Sequence, residues 1–226
     1  LISQTGRSQI KASTNKQLTD MSNQQYVSTL MLSGSLFLAA CNYFSATEVA
    51  ESHDEQGRLE RYERRKKDFA KEGLYQKFHP NGKVALEAHY INDTLDGVRK
   101  FFYPNGGVES IENFVQGEFH GPYQHFYENG TLQLEQVFID GALQGLSKTH
   151  YPNGILTDQV TLVNNEEDGP FVEYYENGAK KAEGFYTPGA DGPLEQGELK
   201  EYNELGELIR MANCKDGCCV TTWKKE

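Results

Sequence analysis

The stretch FFYPNGG, residues 101–107, places a proline, an asparagine and a glycine directly behind two aromatic residues. A near copy, FHPNGK, lies 24 residues earlier, and HYPNGI lies 48 residues later. Gly73, Gly97, Gly121, Gly145 and Gly169 follow the same interval, and eight residues after each comes Asn-Gly: Asn81-Gly82, Asn105-Gly106, Asn129-Gly130, Asn153-Gly154 and Asn177-Gly178. A sixth copy opens at Gly197, four residues late, with Leu205-Gly206 in place of the pair, and the extra residues fall in TPGADGPLEQG. Five copies in strict register make this a repeat array.

Within a copy the periodicity is that of a strand. After Gly82, Val84, Leu86, Ala88 and Tyr90 alternate with Lys83, Ala85, Glu87 and His89, as one buried strand face requires. The same offsets hold Val108 and Phe114, then Leu132, Leu134 and Phe138, then Leu156 and Leu162. Each copy therefore reads as a β-hairpin. In its turn, Pro presets φ, Asn tolerates the next position and Gly supplies the left-handed residue of a bulged loop. Glu replaces Pro at Glu128 and Glu176 while the glycine stays, which points to turn chemistry and not to a ligand loop. One hairpin cannot bury its apolar side, but six side by side can. The expected fold is all-β: an elongated, twisted antiparallel sheet of about six stacked 24-residue hairpins.

Two aromatic columns accompany the turns. Phe78, Phe102, Phe126, His150, Tyr174 and Tyr202 occupy one, three residues before the Asn or its equivalent. Tyr103, Tyr127, Tyr151 and Tyr175, headed by His79, occupy the next position and point to the other face by strand alternation. This tyrosine column is the candidate binding face.

Ahead of the array, VSTLMLSGSLFLAA (residues 27–40) is an uncharged apolar run, too short to span a bilayer and suited to the core of a signal peptide. It closes on Leu38-Ala39-Ala40-Cys41, which resembles the lipobox of bacterial lipoproteins. The resemblance implies cleavage before Cys41, lipidation of its thiol, and an envelope-facing chain anchored at the outer membrane or facing the periplasm. Counted from Leu1 the leader carries Arg7, Lys11 and Lys16; counted from Met21 it has no positive charge. The organisation expected is a leader (1–40), a polar tether (41–56), a charged lead-in (57–72), the repeats (73–213) and a Cys-rich cap (214–226). The lead-in, with Arg64-Arg65-Lys66-Lys67 among acids, reads as a solvated helix with i,i+4 pairs or as a degenerate first repeat starting at QGRLE.

The unit of Gly73–Tyr90, of the form GxYxxFxPNGKVxxExxY, resembles the bacterial variant of the MORN repeat. It is similar to the multi-copy proteins labelled antitoxin-type MORN-variant, many of which carry lipoprotein signals. The resemblance covers about residues 73–210. It implies a scaffold or binding module, and the label implies direct neutralisation of a toxin.

Catalytic, cofactor and metal motifs are not found. The six histidines form no HExxH, and neither a P-loop nor GxSxG is present. Glu87, Glu135 and Glu183 recur in alternate copies and read as solvated outward residues. Cys214, Cys218 and Cys219 suggest one short disulfide, from Cys214 to Cys218 or to Cys219, that pins the last repeat. A net charge of −11 disfavours nucleic acid and anionic lipid headgroups and suits a basic protein partner, such as a toxin. A second reading is a structural envelope protein that binds peptidoglycan or another glycan through the tyrosines.

Overall fold

The computed structural model describes residues 45–226. Cys41 and the apolar run before it lie outside the described residues. The described chain forms one antiparallel sheet in which strands pair in the order they occur. The first hairpins are built from β1 (Thr47–His53), β2 (Leu59–Arg65), β3 (Lys71–Phe78), β4 (Val84–Ile91), β5 (Thr94–Leu95), β6 (Gly97–Phe102) and β7 (Val108–Val115). The middle of the sheet holds β8 (Glu118–Phe119), β9 (Gly121–Phe126), β10 (Leu132–Ile139), β11 (Ala142–Leu143), β12 (Gly145–His150) and β13 (Leu156–Val163). It closes with β14 (Glu166–Tyr174), β15 (Lys180–Thr187), β16 (Leu194–Glu195), β17 (Gly197–Tyr202), β18 (Leu208–Lys215) and β19 (Cys218–Lys224).

Each repeat carries two kinds of turn on opposite edges of this ribbon. At Tyr103–Gly106 the Gly106 N–H donates to the Tyr103 carbonyl (2.8 Å), and Tyr103 N–H donates to the Gly107 carbonyl (2.9 Å). Gly106 has φ of 96°, so the loop is a type I turn closed by a glycine bulge, as the PNG motif requires. The opposite edge uses two-residue turns with positive φ at both positions: Asn92-Asp93, Gln116-Gly117, Asp140-Gly141, Asn164-Asn165 and Asp216-Gly217. These are type I′ geometries, whose twist matches that of the flanking strands.

The glycines spaced by 24 mark a third feature: Gly97, Gly121 and Gly145 separate the short strand that leaves a type I′ turn from the strand that follows, and at Gly73 and Gly169 one strand runs through with its register shifted. Gly169 shows why the residue type is fixed. Its φ is 139°, and a β-carbon there would stand 2.7 Å from Cβ of Thr161 on the neighbouring strand.

The sheet has unequal faces. Along β7, Ser110, Glu112 and Phe114 are buried while Val115 is exposed, and β4, β13 and β18 repeat that alternation. The covered face is roofed by its own rings, since among the described residues no second layer lies over it. Phe119 sits 4.3 Å from Phe114 and 4.8 Å from Phe138, Tyr75 meets Tyr90 edge-on at 5.7 Å, and Phe171 stacks on Tyr186 at 4.0 Å. Lys71 lies within 5.7 Å of the ring centres of Tyr62, Tyr75 and Tyr90.

The charged lead-in is strand, not helix, and the polar tether expected over 41–56 contains β1. The i,i+4 charge pairs of the helical reading are replaced by cross-strand ones. Glu51 opposes Arg61 and Glu48 opposes Arg64 in the β1–β2 register, and each pair closes at 2.9 Å. This stretch is thus the degenerate first hairpin. At the other end, the cap expected to begin at residue 214 begins inside β18, and the tail completes a final hairpin with β19.

Candidate functional site

The tyrosine column does not offer its hydroxyls to solvent. Tyr103 Oη donates to the Phe126 carbonyl (2.6 Å), Tyr127 to His150 (2.8 Å), Tyr151 to Tyr174 (3.0 Å) and Tyr175 to Tyr202 (2.9 Å). Each acceptor lies one repeat further on. His79 continues the ladder from the front, with Nε2 donating to the Phe102 carbonyl (2.7 Å). The histidine therefore stands in for a tyrosine as a donor rather than as a packing ring. All five side chains are half-buried, and burial raises the Tyr103 hydroxyl pKa, with Glu109 and Glu128 adding to it.

A second ladder runs beside the first. Each turn asparagine accepts from the N–H two residues on, as Asn129 does from Thr131 (2.9 Å), and its amide donates to a turn carbonyl of the next repeat. Asn81 reaches Pro104 (2.8 Å), Asn129 reaches Pro152 (3.1 Å) and Asn177 reaches Glu204 (2.8 Å). The turn reading explained why asparagine is tolerated. It missed that the side chain joins hairpins, although its recurrence at every copy was the available signal.

The tyrosine position holds a self-capping polar residue in the first hairpin and in the last copy. Asp54 occupies the tyrosine position of the first hairpin, where it accepts from Gln56 and Arg58 N–H groups (2.9 Å each) and pairs with Lys77 (2.6 Å). Lys77 and Arg58 hold its carboxyl far below the usual carboxylate range, against desolvation. Asn203 occupies the position in the last copy and accepts from its own Leu205 and Glu207 N–H groups (3.0 Å each).

The other face carries what remains available. Glu135 opposes Lys148 across a repeat boundary and pairs with it at 2.7 Å; Glu87 opposes Lys100 and Glu183 opposes Lys200 in the same register. The recurring glutamates thus face lysines of the following copy. Beside that row runs an apolar stripe near the type I′ edge. Val115 and Ile139 are 51% and 49% exposed, and Ile91 and Val163 hold the equivalent positions. Leu74, Val98 and Leu146 form a parallel row, each one residue after a repeat glycine and likewise exposed. A groove of about 470 Å³ lies within the stripe, lined by Pro122, Val137, Ile139 and Leu146 and bordered by Glu135 and Lys148.

On the ring-covered face a groove of about 310 Å³ lies among Phe171, Tyr186 and Leu199, with Glu173 paired to Lys181 at its side (2.8 Å). Burial pushes the Tyr186 hydroxyl up to about 12, and the charges of Glu173, Glu195, Glu167 and Asp158 add to it. Cys214 is bonded to Cys219, its direct partner across the β18–β19 hairpin, and Cys218 is a free, exposed thiol. Among the described residues no three His, Cys, Asp or Glu side chains converge in the way a metal ion needs.

A family profile, described as the MORN repeat variant, matches residues 71–92, 95–116, 119–140 and 167–187. Four of the hairpins match that repeat, over less than half of the chain. Each match runs through a PNG-type turn or begins at a type I′ edge, the two landmarks of the fold. The copy opening at Gly145 is unmatched yet pairs identically: it carries Ser147 and His150 where the copy at Gly121 has Tyr123 and Phe126. The match suggests a repeat scaffold. No curated protein matches the chain.

Proposed function

We propose that this chain is a non-catalytic, protein-binding scaffold, tethered to a bacterial envelope through lipid on Cys41 and suited to act as an immunity protein against a basic toxin. The observation that carries the binding reading is the apolar stripe, which leaves Val115, Ile139, Leu146 and their neighbours in water on a face with no covering layer among the described residues. Exposed apolar surface of this continuity marks an interaction site. The lipidation reading rests on Leu38-Ala39-Ala40-Cys41 alone. The alternative, glycan binding through exposed tyrosines, has less support, because these side chains are half-buried and their hydroxyls donate to backbone carbonyls.

The test is affinity purification of the tagged full-length protein from envelope extracts at low and at high salt. A reproducibly enriched protein partner supports the scaffold, and its loss at high salt supports a basic partner. No enrichment under either condition counts against both. For the anchor, mass analysis of the native protein should find acyl chains on Cys41, and a Cys41→Ser form should stay unprocessed or soluble.

A further inference from the structure

We propose that the stripe receives an amphipathic α-helix of another protein, laid along the ribbon and basic on one flank only. This rests on the scaffold reading and adds the face, the conformation and the charge of the partner.

The conformation follows from spacing. Successive repeats are two strands apart, about 9.6 Å in the hydrogen-bonding direction. Seven residues of α-helix advance about 10.5 Å, so one apolar heptad position returns over each repeat. An extended strand laid in the same direction would need about three residues per repeat, and its period of two would turn every second contact away. The accumulated twist of the sheet limits a straight helix to two or three repeats, a segment of about 14–21 residues.

The charge follows from the borders of the stripe. On the turn side each repeat offers one exposed carboxylate, Asp93, Glu118, Asp140 and Glu166 in order. Among the described residues none of the four forms an ion pair with a lysine or arginine side chain: Asp93 accepts from the Lys71 backbone N–H (2.8 Å), and Asp140 lies 3.3 Å from His120. The other border is the row of opposed glutamates and lysines, which balances itself. A helix with lysine or arginine along one flank fits that asymmetry and is steered by it. A second copy of this acidic chain, or an anionic membrane, would bring like charges together.

The probe is a labelled 21-residue synthetic helix with leucine at heptad positions and lysine on one flank, titrated against the full-length protein by fluorescence anisotropy. Controls are a peptide of the same composition with its heptads scrambled, and one with glutamate for lysine. The amphipathic basic peptide should bind, gain helical circular dichroism, and weaken with salt. Val115→Asp and Ile139→Asp, both at exposed positions and each required to keep the wild-type circular dichroism spectrum, should each weaken it about tenfold. Glu118→Lys with Glu166→Lys should remove most of the salt dependence. Equal binding of the scrambled peptide, binding without helix gain, indifference to Val115→Asp and Ile139→Asp, or capture by phosphatidylglycerol vesicles would each overturn the proposal. If a partner from envelope extracts binds Val115→Asp and Ile139→Asp protein undiminished, the scaffold reading stands and this one falls; if neither partner nor peptide binds, both fall.

Discussion

Replacing Tyr127 with Phe separates a ladder from a binding surface. The substitution removes one hydroxyl, the donor held 2.8 Å from the His150 carbonyl, and keeps the ring. A hydrogen bond of this kind contributes about 0.5–1.5 kcal/mol net, and its loss leaves a half-buried carbonyl short of a donor. For about 180 ordered residues, 1 kcal/mol corresponds to a fall in Tm of about 2–4 °C. The four ladder hydroxyls act at separate repeat boundaries. Changing Tyr103, Tyr127, Tyr151 and Tyr175 together should therefore cost about 2–6 kcal/mol, near the sum of the single effects. Tyr90→Phe is the control, because that hydroxyl has no protein hydrogen-bond partner among the described residues; it should change stability by less than about 0.5 kcal/mol. Urea titration followed by circular dichroism gives the comparison. An unchanged midpoint for Tyr127→Phe, or an equal loss for Tyr90→Phe, would refute the reasoning.

Asn129→Asp should retain the turn bond from Thr131 but lose the donor to Pro152, whereas Asn129→Ala loses both; thermal melts should rank wild type, Asp, Ala, with steps of about 1 kcal/mol. Burial raises the Asp158 carboxyl above its ordinary 3.8, with Glu173 adding and a Thr149 hydrogen bond opposing. The folded state therefore binds this proton in a window just above the ordinary value where the unfolded chain does not, so the carboxylate's cost is relieved as pH falls through that window. Asp158→Asn should accordingly raise Tm at neutral pH and lose its advantage in acid, read from melts across that range. Reducing the Cys214–Cys219 bond, which closes a loop of sequence separation 5, should cost about 2 kcal/mol and loosen β19 first, as hydrogen exchange of Val220 and Thr221 would report.

The repeat, its hairpins and the PNG turns were legible because each rests on local chemistry: a glycine that must be left-handed, and side chains that alternate every second residue. Gly106 and Val84–Tyr90 needed nothing from elsewhere in the chain. What the pattern could not supply is what crosses from one copy to the next. Tyr127 and Asn129 repeat as regularly as a binding motif would, and only the position of the next hairpin shows that their polar atoms already have acceptors. The first hairpin was obscured for a related reason. The string RLERYERRKKD has charges spaced as in a helix, and the opposing Glu48 and Glu51 sit in the preceding strand, visible as partners only once the register is known. The stripe escaped notice because its members belong to two positions per copy. Each sits singly among polar neighbours, and they become a row only when the sheet sets them side by side.

The six-residue loop at 188–193 stands on the margin where five other connections are two-residue turns, yet the ladder crosses it unbroken: Tyr175 still reaches Tyr202, now 27 residues ahead instead of 23. The two margins of the ribbon therefore differ in evolvability. On the asparagine margin, one added residue would pull two side chains out of reach of the next copy, so length there is conserved by geometry. On the other margin the chain can lengthen without disturbing its neighbours, and new loops can be tried one repeat at a time, alongside the stripe that any partner would have to approach.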